Sequence, residues 1–340
     1  MSLGELAGLR PAKRMRDVFG DALLELCTAN ERVVVLDGDL ASTTRTILVR
    51  QKFPERFFNI GIAESNMVGI ASGLASCGFI PFATSLASFL LANAYDQLRV
   101  SVALSCVNVK VVGSHGGITL GKDGATAMAP EDLALVGCLP TFVILVPSDP
   151  PSMHRAVRAA AEHVGPVYLR SSRVAMPYVY PEDDCPFEIG KANVVRTGRD
   201  VTIVACGIMV AAALDAAVVL AQEGIEARVL DMHTLRPMDS EALAAAARET
   251  GAIVTAEEHF LHGGMGSNVA RLVAQTCPVP MRFVGLADTY TDSGDPDDLL
   301  RKYGLTAQDI VVAAREAVAA KVQRGRDARV PQGEPCCTRS

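Results

Sequence analysis

The chain has 340 residues, 49% hydrophobic and 21% charged, with a formal net charge of −6. That length holds two domains of ordinary size, and the acidic balance argues against nucleic acid as the main partner. No run reaches the ~18 apolar residues of a membrane helix, residues 1–16 lack the apolar stretch of a signal peptide, and nine scattered cysteines without a CxxC pair read as reduced thiols of a cytoplasmic protein.

Taken in order, the pattern predicts a helix over 15–29 and a strand over 33–37. Next comes NIGIAESNMVG (59–69), in which Glu64 begins an uncharged, small-residue run that reads as a buried helix. A strand over 80–84, a helix over 89–104, a strand over 107–112 and a Gly-rich loop over 113–124 follow. A helix at 131–136, a strand at 142–146, a helix at 151–162 and a strand at 167–170 close the first half. Residues 176–190 hold three prolines and the acidic run 182–184, and read as an interdomain linker. Beyond it, strands at 201–206, 226–231, 252–256 and 282–285 combine with helices at 209–223, 240–249, 267–275 and 307–322. From 323 the chain is polar and basic and reads as a fraying tail. The alternation predicts an α/β protein of two doubly wound domains, each a mostly parallel sheet with helices on both faces.

Several residues carry candidate chemistry. A Glu at a buried helix start is costly unless something accepts its proton or charge; the simpler alternative is a carboxylate facing the helix dipole. The loop sequence GGITLGKD (116–123) is one residue short of a nucleotide-binding P-loop, because Asp123 stands where that motif needs Ser or Thr. A Gly-rich loop after a strand still suits ligand contact, and His115 sits where α/β sites gather. Asp37-Gly38-Asp39 tempts as a diphosphate motif, yet Asn59 falls too early for it. GGMGS (263–267) before a helix reads either as an anion site or, preferably, as a tight turn with close helix–sheet packing. Glu257, Glu258, His259 and His262 lack the second cluster a metal site needs, so no metal ligand is assigned.

FNIGIAESNMVGIASGLASCGFIPFATSLASF (58–89), AYDQLR (94–99), SHGGITLGKDGATAMAPEDLA (114–134) and LVPSD (145–149) resemble the pyrimidine-binding domain of transketolases. DMHTLRPMD (231–239) and TAEEHFLHGGMGSNVA (255–270) resemble that family's C-terminal domain. The match is closest to the stand-alone C-terminal subunits of split transketolases. It implies a pyrimidine-binding domain over 10–180, a C-terminal domain over 191–322 and a flexible tail over 323–340. It also implies a transferase that moves a two-carbon ketol unit from a ketose phosphate to an acceptor, using thiamine diphosphate and Mg2+. A separate diphosphate-binding subunit would hold the metal, in a heterotetramer.

On this resemblance Glu64 contacts the aminopyrimidine ring nitrogen, with Phe89 stacking on the ring and Leu86 beside it. A carboxyl sharing a proton with that nitrogen favours the imino tautomer, which can accept a proton from the thiazolium carbon. Arg16, His115 and Arg173 match positions that hold a sugar phosphate, Ser42 and Thr43 fall where a hydroxyl assists, and Asp123 matches a substrate-hydroxyl contact; His115 and Glu64 are the catalytic candidates. Three positions depart from the family: Ser65 follows the glutamate, Ala127 replaces a histidine and Asn93 replaces a frequent arginine. Two alternatives stay open. One is a subunit like the β chain of 2-oxo-acid dehydrogenases, passing a two-carbon unit to a lipoyl or carrier protein. The other is a non-catalytic paralogue that pairs with a transketolase subunit.

Overall fold

A computed structural model describes residues 3–11 and 13–327. Its strands, in chain order, are β1 (Val33–Asp37), β2 (Phe57–Asn59), β3 (Ile80–Leu86), β4 (Lys110–Ser114), β5 (Val143–Leu145) and β6 (Val167–Ser171). They continue with β7 (Asn193–Arg196), β8 (Val201–Ala205), β9 (Ala227–Asp231), β10 (Thr234–Arg236), β11 (Ile253–Phe260) and β12 (Met281–Leu286). One sheet runs β10-β5-β6-β4-β3-β1-β2 and the other β12-β11-β8-β9-β7. Each is parallel except for one antiparallel edge strand, β10 in the first and β7 in the second. This is the expected α/β architecture. Every residue of β1, β3, β4, β6 and β8 is buried. Burial on both faces is why β1 (VVVLD) and β8 (VTIVA) read as largely apolar runs rather than alternating ones, whereas β4 and β6 carry the buried, partnered Lys110 and Arg170.

Helices cover both faces, and each of the two hydrophobic cores spans both sheets. One core joins the helices Met15–Ala29 and Pro150–Glu162 to Met209–Gln222 and Ala307–Asp327. The other joins Glu64–Ser76 and Ala87–Asn93 to Ser240–Thr250 and Met265–Thr276. The halves are also stitched by β10, which leaves the second half to pair with β5. Arg236 on that strand donates to the carbonyls of Leu139 (2.6 Å) and Gly137.

Several elements differ from the sequence expectation. The short edge strands β2, β7 and β10 were not expected; three or four residues carry too little pattern to stand out. The expected helix over 89–104 is broken at Ala94: Ala87–Asn93 precedes the break, and the short helix Tyr95–Gln97 runs on into a wide π-helical stretch Leu98–Ala103, where Ser72 donates to the Ser101 carbonyl at 2.8 Å. β11 runs four residues past the expected end at 256, because Glu257, Glu258 and His259 are buried with partners rather than solvated. The last helix continues to Asp327, past the expected end at 322, and the rest of the expected tail, 328–340, lies outside the described residues. The linker 176–190 has no regular element but is firmly held. Asp149 accepts the amides of Val179 and Tyr180, and the Tyr180 hydroxyl donates to Asp231 at 2.7 Å.

Candidate active site

β1, β3, β4 and β6 are parallel and stop nearly level. Asp37 pairs with Thr84, Leu86 with Ser114, and Ser114 with Ser171. The residues that follow each strand therefore share one edge of the sheet, the carboxyl edge where α/β proteins place ligands. That edge gathers Gly38 to Thr43, Leu86 to Phe89, His115 and Arg173. Arg16 arrives by a different route. Arg14 forms an antiparallel bridge with Ala175, which lays the start of helix Met15–Ala29 beside the segment after β6.

Glu64 opens the helix Glu64–Ser76 and is 3% exposed. Its Oε1 accepts the Ser85 hydroxyl at 2.8 Å, and the partial positive charge of the helix start faces it. Gly38 lies against this pair: a Cβ there would stand 3.1 Å from Ser85 Oγ and 3.4 Å from Glu64 Oε1. Leu86 is buried and Phe89 half-buried, yet neither belongs to either hydrophobic core. A large ring outside both cores is free to stack on a planar ligand. The outer side of the Glu64 helix is bare. A side chain on Gly69 or Gly73 would meet nothing within 4 Å, and Ile62 beside the helix start is 84% exposed.

His115 adopts φ +62° and is buried, with Nδ1 2.6 Å from Ser114 Oγ. Burial, then the nearby Arg173 and Arg16, push its pKa down to about 4. The imidazole is therefore neutral at physiological pH. The neighbouring cleft encloses about 390 Å3 and is lined by Arg14, Arg16, Lys122 and Arg173 among others. Arg173 pairs with Asp123 at 3.1 Å. Arg16 reaches the main-chain carbonyl of Thr43 at 3.5 Å, and its buried Nε has no partner among the described residues. Ser42 is exposed and Thr43 half-buried on the turn shaped by Asp37, which accepts Thr44 Oγ1, Thr46 Oγ1 and the Leu40 amide.

The loop carrying His115 is held from the other half of the chain. Glu258 Oε1 accepts the amides of Ile118 and Thr119, both at 2.7 Å. Gly117 sits at φ +81°, and a Cβ on it would fall 2.3 Å from the Glu258 carboxyl carbon. Gly116 is equally confined, by the Arg170 guanidinium, which pairs with buried Asp132 at 2.9 Å. The glycines thus serve close packing against Glu258 and Arg170, and the amides a phosphate loop would offer are already taken. Glu257 does the same for GGMGS: its carboxylate accepts the amides of Met265 and Gly266 at 2.7 Å, so the helix start is capped from within. His259 Nε2 accepts the Ala134 amide at 3.2 Å. Glu257, Glu258 and His259 therefore serve three different backbones.

Of the departing positions, Ser65 donates to the carbonyl of Asn93, tying the two helices together. Ala127 packs against a core, and its carbonyl accepts the Ser88 hydroxyl at 2.8 Å. Ser85 escaped the sequence reading, although it stands just past a predicted strand end; Gly38 and Glu258 drew notice only as parts of a diphosphate-like motif and an unsupported metal cluster, not in the packing roles they have here.

The donor set fits the aminopyrimidine half of thiamine diphosphate: one carboxylate with an oxygen to spare, beside an uncommitted ring. Asp37 and Asn59 do not fit a diphosphate–metal site, because Asp37 is engaged as above and Asn59 donates to Asp39 at 2.8 Å.

Comparison with known proteins agrees. The family described as "Transketolase, pyrimidine binding domain" matches residues 12–178, and "Transketolase, C-terminal domain" matches 190–310. The chain belongs to the transketolase family. It stands with the separate C-terminal subunits of split transketolases, as a transferase subunit. It is 43% identical to the 6-deoxy-6-sulfo-D-fructose transketolase subunit of Clostridium sp. (strain MSTE9), over 90% of this chain and 95% of that one. It is 37% identical to an apulose-4-phosphate transketolase subunit of Phocaeicola vulgatus, over 89% of this chain and 97% of that one. Among solved structures, a split gene transketolase described as an inactive β4 tetramer is 46% identical, with TM-score 0.85, covering 90% of this chain and 99% of that one. These relatives do not favour the two alternative readings. Among the described residues, no helix is long and apolar enough to cross a membrane.

Proposed function

We propose that this subunit grips the aminopyrimidine of thiamine diphosphate through Glu64 and Phe89, while a partner subunit holds the diphosphate and Mg2+. When bound, the coenzyme supplies the carbanion chemistry of ketol transfer from a ketose phosphate to an acceptor. The residues of this chain do the rest. Ser85 fixes one oxygen of Glu64, leaving the other to hold a proton at the ring nitrogen. Burial keeps that contact strong. Leu86 and Phe89 exclude water from the ring face. Arg16 and Arg173 orient the anionic end of the sugar by charge-assisted bonds. Ser42, Thr43 and Asp123 stand at its rim, and neutral His115 lies between the ring and the anion. The bare face around Gly69, Gly73 and Ile62 supports docking of other subunits, in a cytoplasmic heterotetramer with units at 10–180 and 191–322.

The carrying observation is Glu64: buried, held by Ser85 on one oxygen, at the same sheet edge as Phe89, a ring that belongs to neither core. The test is ketol transfer by this chain mixed with its partner and thiamine diphosphate. Glu64→Gln should lower turnover by at least ~10²-fold, as loss of a proton-transfer group does. Unchanged turnover in that variant, or full activity from this chain alone, would sink the proposal.

A further inference from the structure

The cleft beside His115 holds more positive charge than one phosphate monoester requires. Four cations line it in a chain whose net charge is −6. Asp123 offsets Arg173, and Asp17, paired with Arg45 at 2.9 Å, lies within electrostatic reach of Arg16. Arg14 and Lys122 are exposed and take part in no ion pair or side-chain hydrogen bond among the described residues. Their backbones are nonetheless fixed. Arg14 is bridged to Ala175, and Lys122 lies in the 3-10 turn Gly121–Asp123, whose Gly121 abuts Pro296 and the Gly294 carbonyl. Unbalanced like charges around one concave surface repel one another and attract polyanions. The cleft also has room beyond the Arg16–Arg173 pair. Thr119, Val174, Ala175 and Pro296 also line a second hollow of about 540 Å3, whose further walls are Leu9, Pro11, Ile208 and Leu300 with the carboxylates Glu5 and Asp297, so a second acidic group is met on the Arg14 and Lys122 side of the cleft and not in that hollow.

We propose that Arg14 and Lys122 form an outer anion site continuous with the Arg16–Arg173 site, and that it selects substrates whose terminus carries two acidic groups over simple monoesters. This rests on the reading that the cleft receives the anionic end of the substrate. A single phosphate dianion is matched by the inner pair; a second acidic group has the outer pair to meet it. Both outer side chains are solvated, so their effect should be strongly salt-dependent.

Calorimetric titration of the full chain with inorganic phosphate and with pyrophosphate tests this. Pyrophosphate should bind at least ~10-fold tighter than phosphate, a difference of about 1.4 kcal/mol. The Arg14→Gln/Lys122→Gln double variant should lose most of that preference, and Arg16→Gln should weaken both ions. Because the two exchanged side chains are exposed, folding is not at stake. Equal affinity for the two ions, an undiminished preference in the double variant, or no binding of either ion would each overturn the proposal. Ketol transfer by the reconstituted complex is a separate measurement: its failure removes the functional reading, whereas its success with a failed titration removes only the outer site.

Discussion

Removing the Glu258 carboxylate should loosen the loop that carries His115 before it unfolds the sheet. Glu258 Oε1 accepts two buried amides, Ile118 and Thr119, at 2.7 Å each. A hydrogen bond to a charged group contributes about 1.5–3 kcal/mol, and its loss leaves a buried donor without a partner. Glu258→Ala should therefore cost about 3–5 kcal/mol. Glu258→Gln keeps a carbonyl oxygen in the same place and should cost under about 1.5 kcal/mol. Unfolding entropy of ~2.1 cal/mol/K per residue makes a chain of this size lose roughly 1–2 °C per kcal/mol. The Ala variant should then melt about 4–7 °C lower, the Gln variant about 2 °C lower. Hydrogen exchange should also quicken at the amides of 118 and 119 in the Ala variant alone. If Ala and Gln melt within ~1 °C of each other, or if exchange at those two amides is unchanged, Glu258 does not clamp the loop.

Lys110 is buried, and desolvation lowers its pKa to about 7, although its ammonium donates to Asn108 Oδ1, the His163 carbonyl and the Gly165 carbonyl. Between pH 7 and the ordinary lysine value the unfolded chain binds the extra proton, so stability should rise with pH, by up to ~1.4 kcal/mol per unit. Urea titrations at pH 7 and 9 should show that rise, and Lys110→Met should flatten it; an equal slope in the variant would disprove the assignment. The His115 pKa near 4 predicts a neutral ring down to about pH 5, so kcat/KM of the reconstituted complex should show no histidine limb between pH 6 and 7. An acid limb near 6.5 that disappears in His115→Asn would contradict this. Gly117→Ala combines a φ of +81° with a clash against Glu258 and should destabilise by more than ~2 kcal/mol; a thermal melt within ~1 °C of the parent would show that the loop rearranges cheaply.

Strands such as β1 and β8 were legible because a fully buried parallel strand is a largely apolar run flanked by turn residues, and that signal survives in a single sequence. β10 was not. Thr234–Arg236 looks like loop, and its status as a strand comes entirely from pairing with Leu145 and Ile144, about ninety residues away. The same limit hid the end of β11. Glu257, Glu258 and His259 fell beyond the expected strand end at 256, since charged residues are seldom fully buried. In fact each lies opposite a backbone segment from elsewhere in the chain that needs a hydrogen-bond partner, two amides apiece for the glutamates and one for His259. Local pattern cannot announce a distant partner.

The site divides along similar lines. Glu64 stood out because a carboxylate at the head of an apolar helix breaks the local rule, and residues that break local rules are often functional. Its keeper, Ser85, breaks no rule and emerges only when β3 is laid beside β1 and Gly38 closes over the pair. Asp37-Gly38-Asp39 shows the opposite error that sequence alone invites. Its acidic pair suggests a metal, yet Asp37 shapes the Ser42–Thr43 turn through Leu40, Thr44 and Thr46, while Asp39 and the Gly61 amide occupy Asn59. The polar groups that most resemble a diphosphate cradle are thus satisfied internally, whereas Glu64 retains an oxygen without a hydrogen-bond partner among the described residues. That contrast, one set of polar groups satisfied and the other open, is what the proposed division of the coenzyme between two chains rests on.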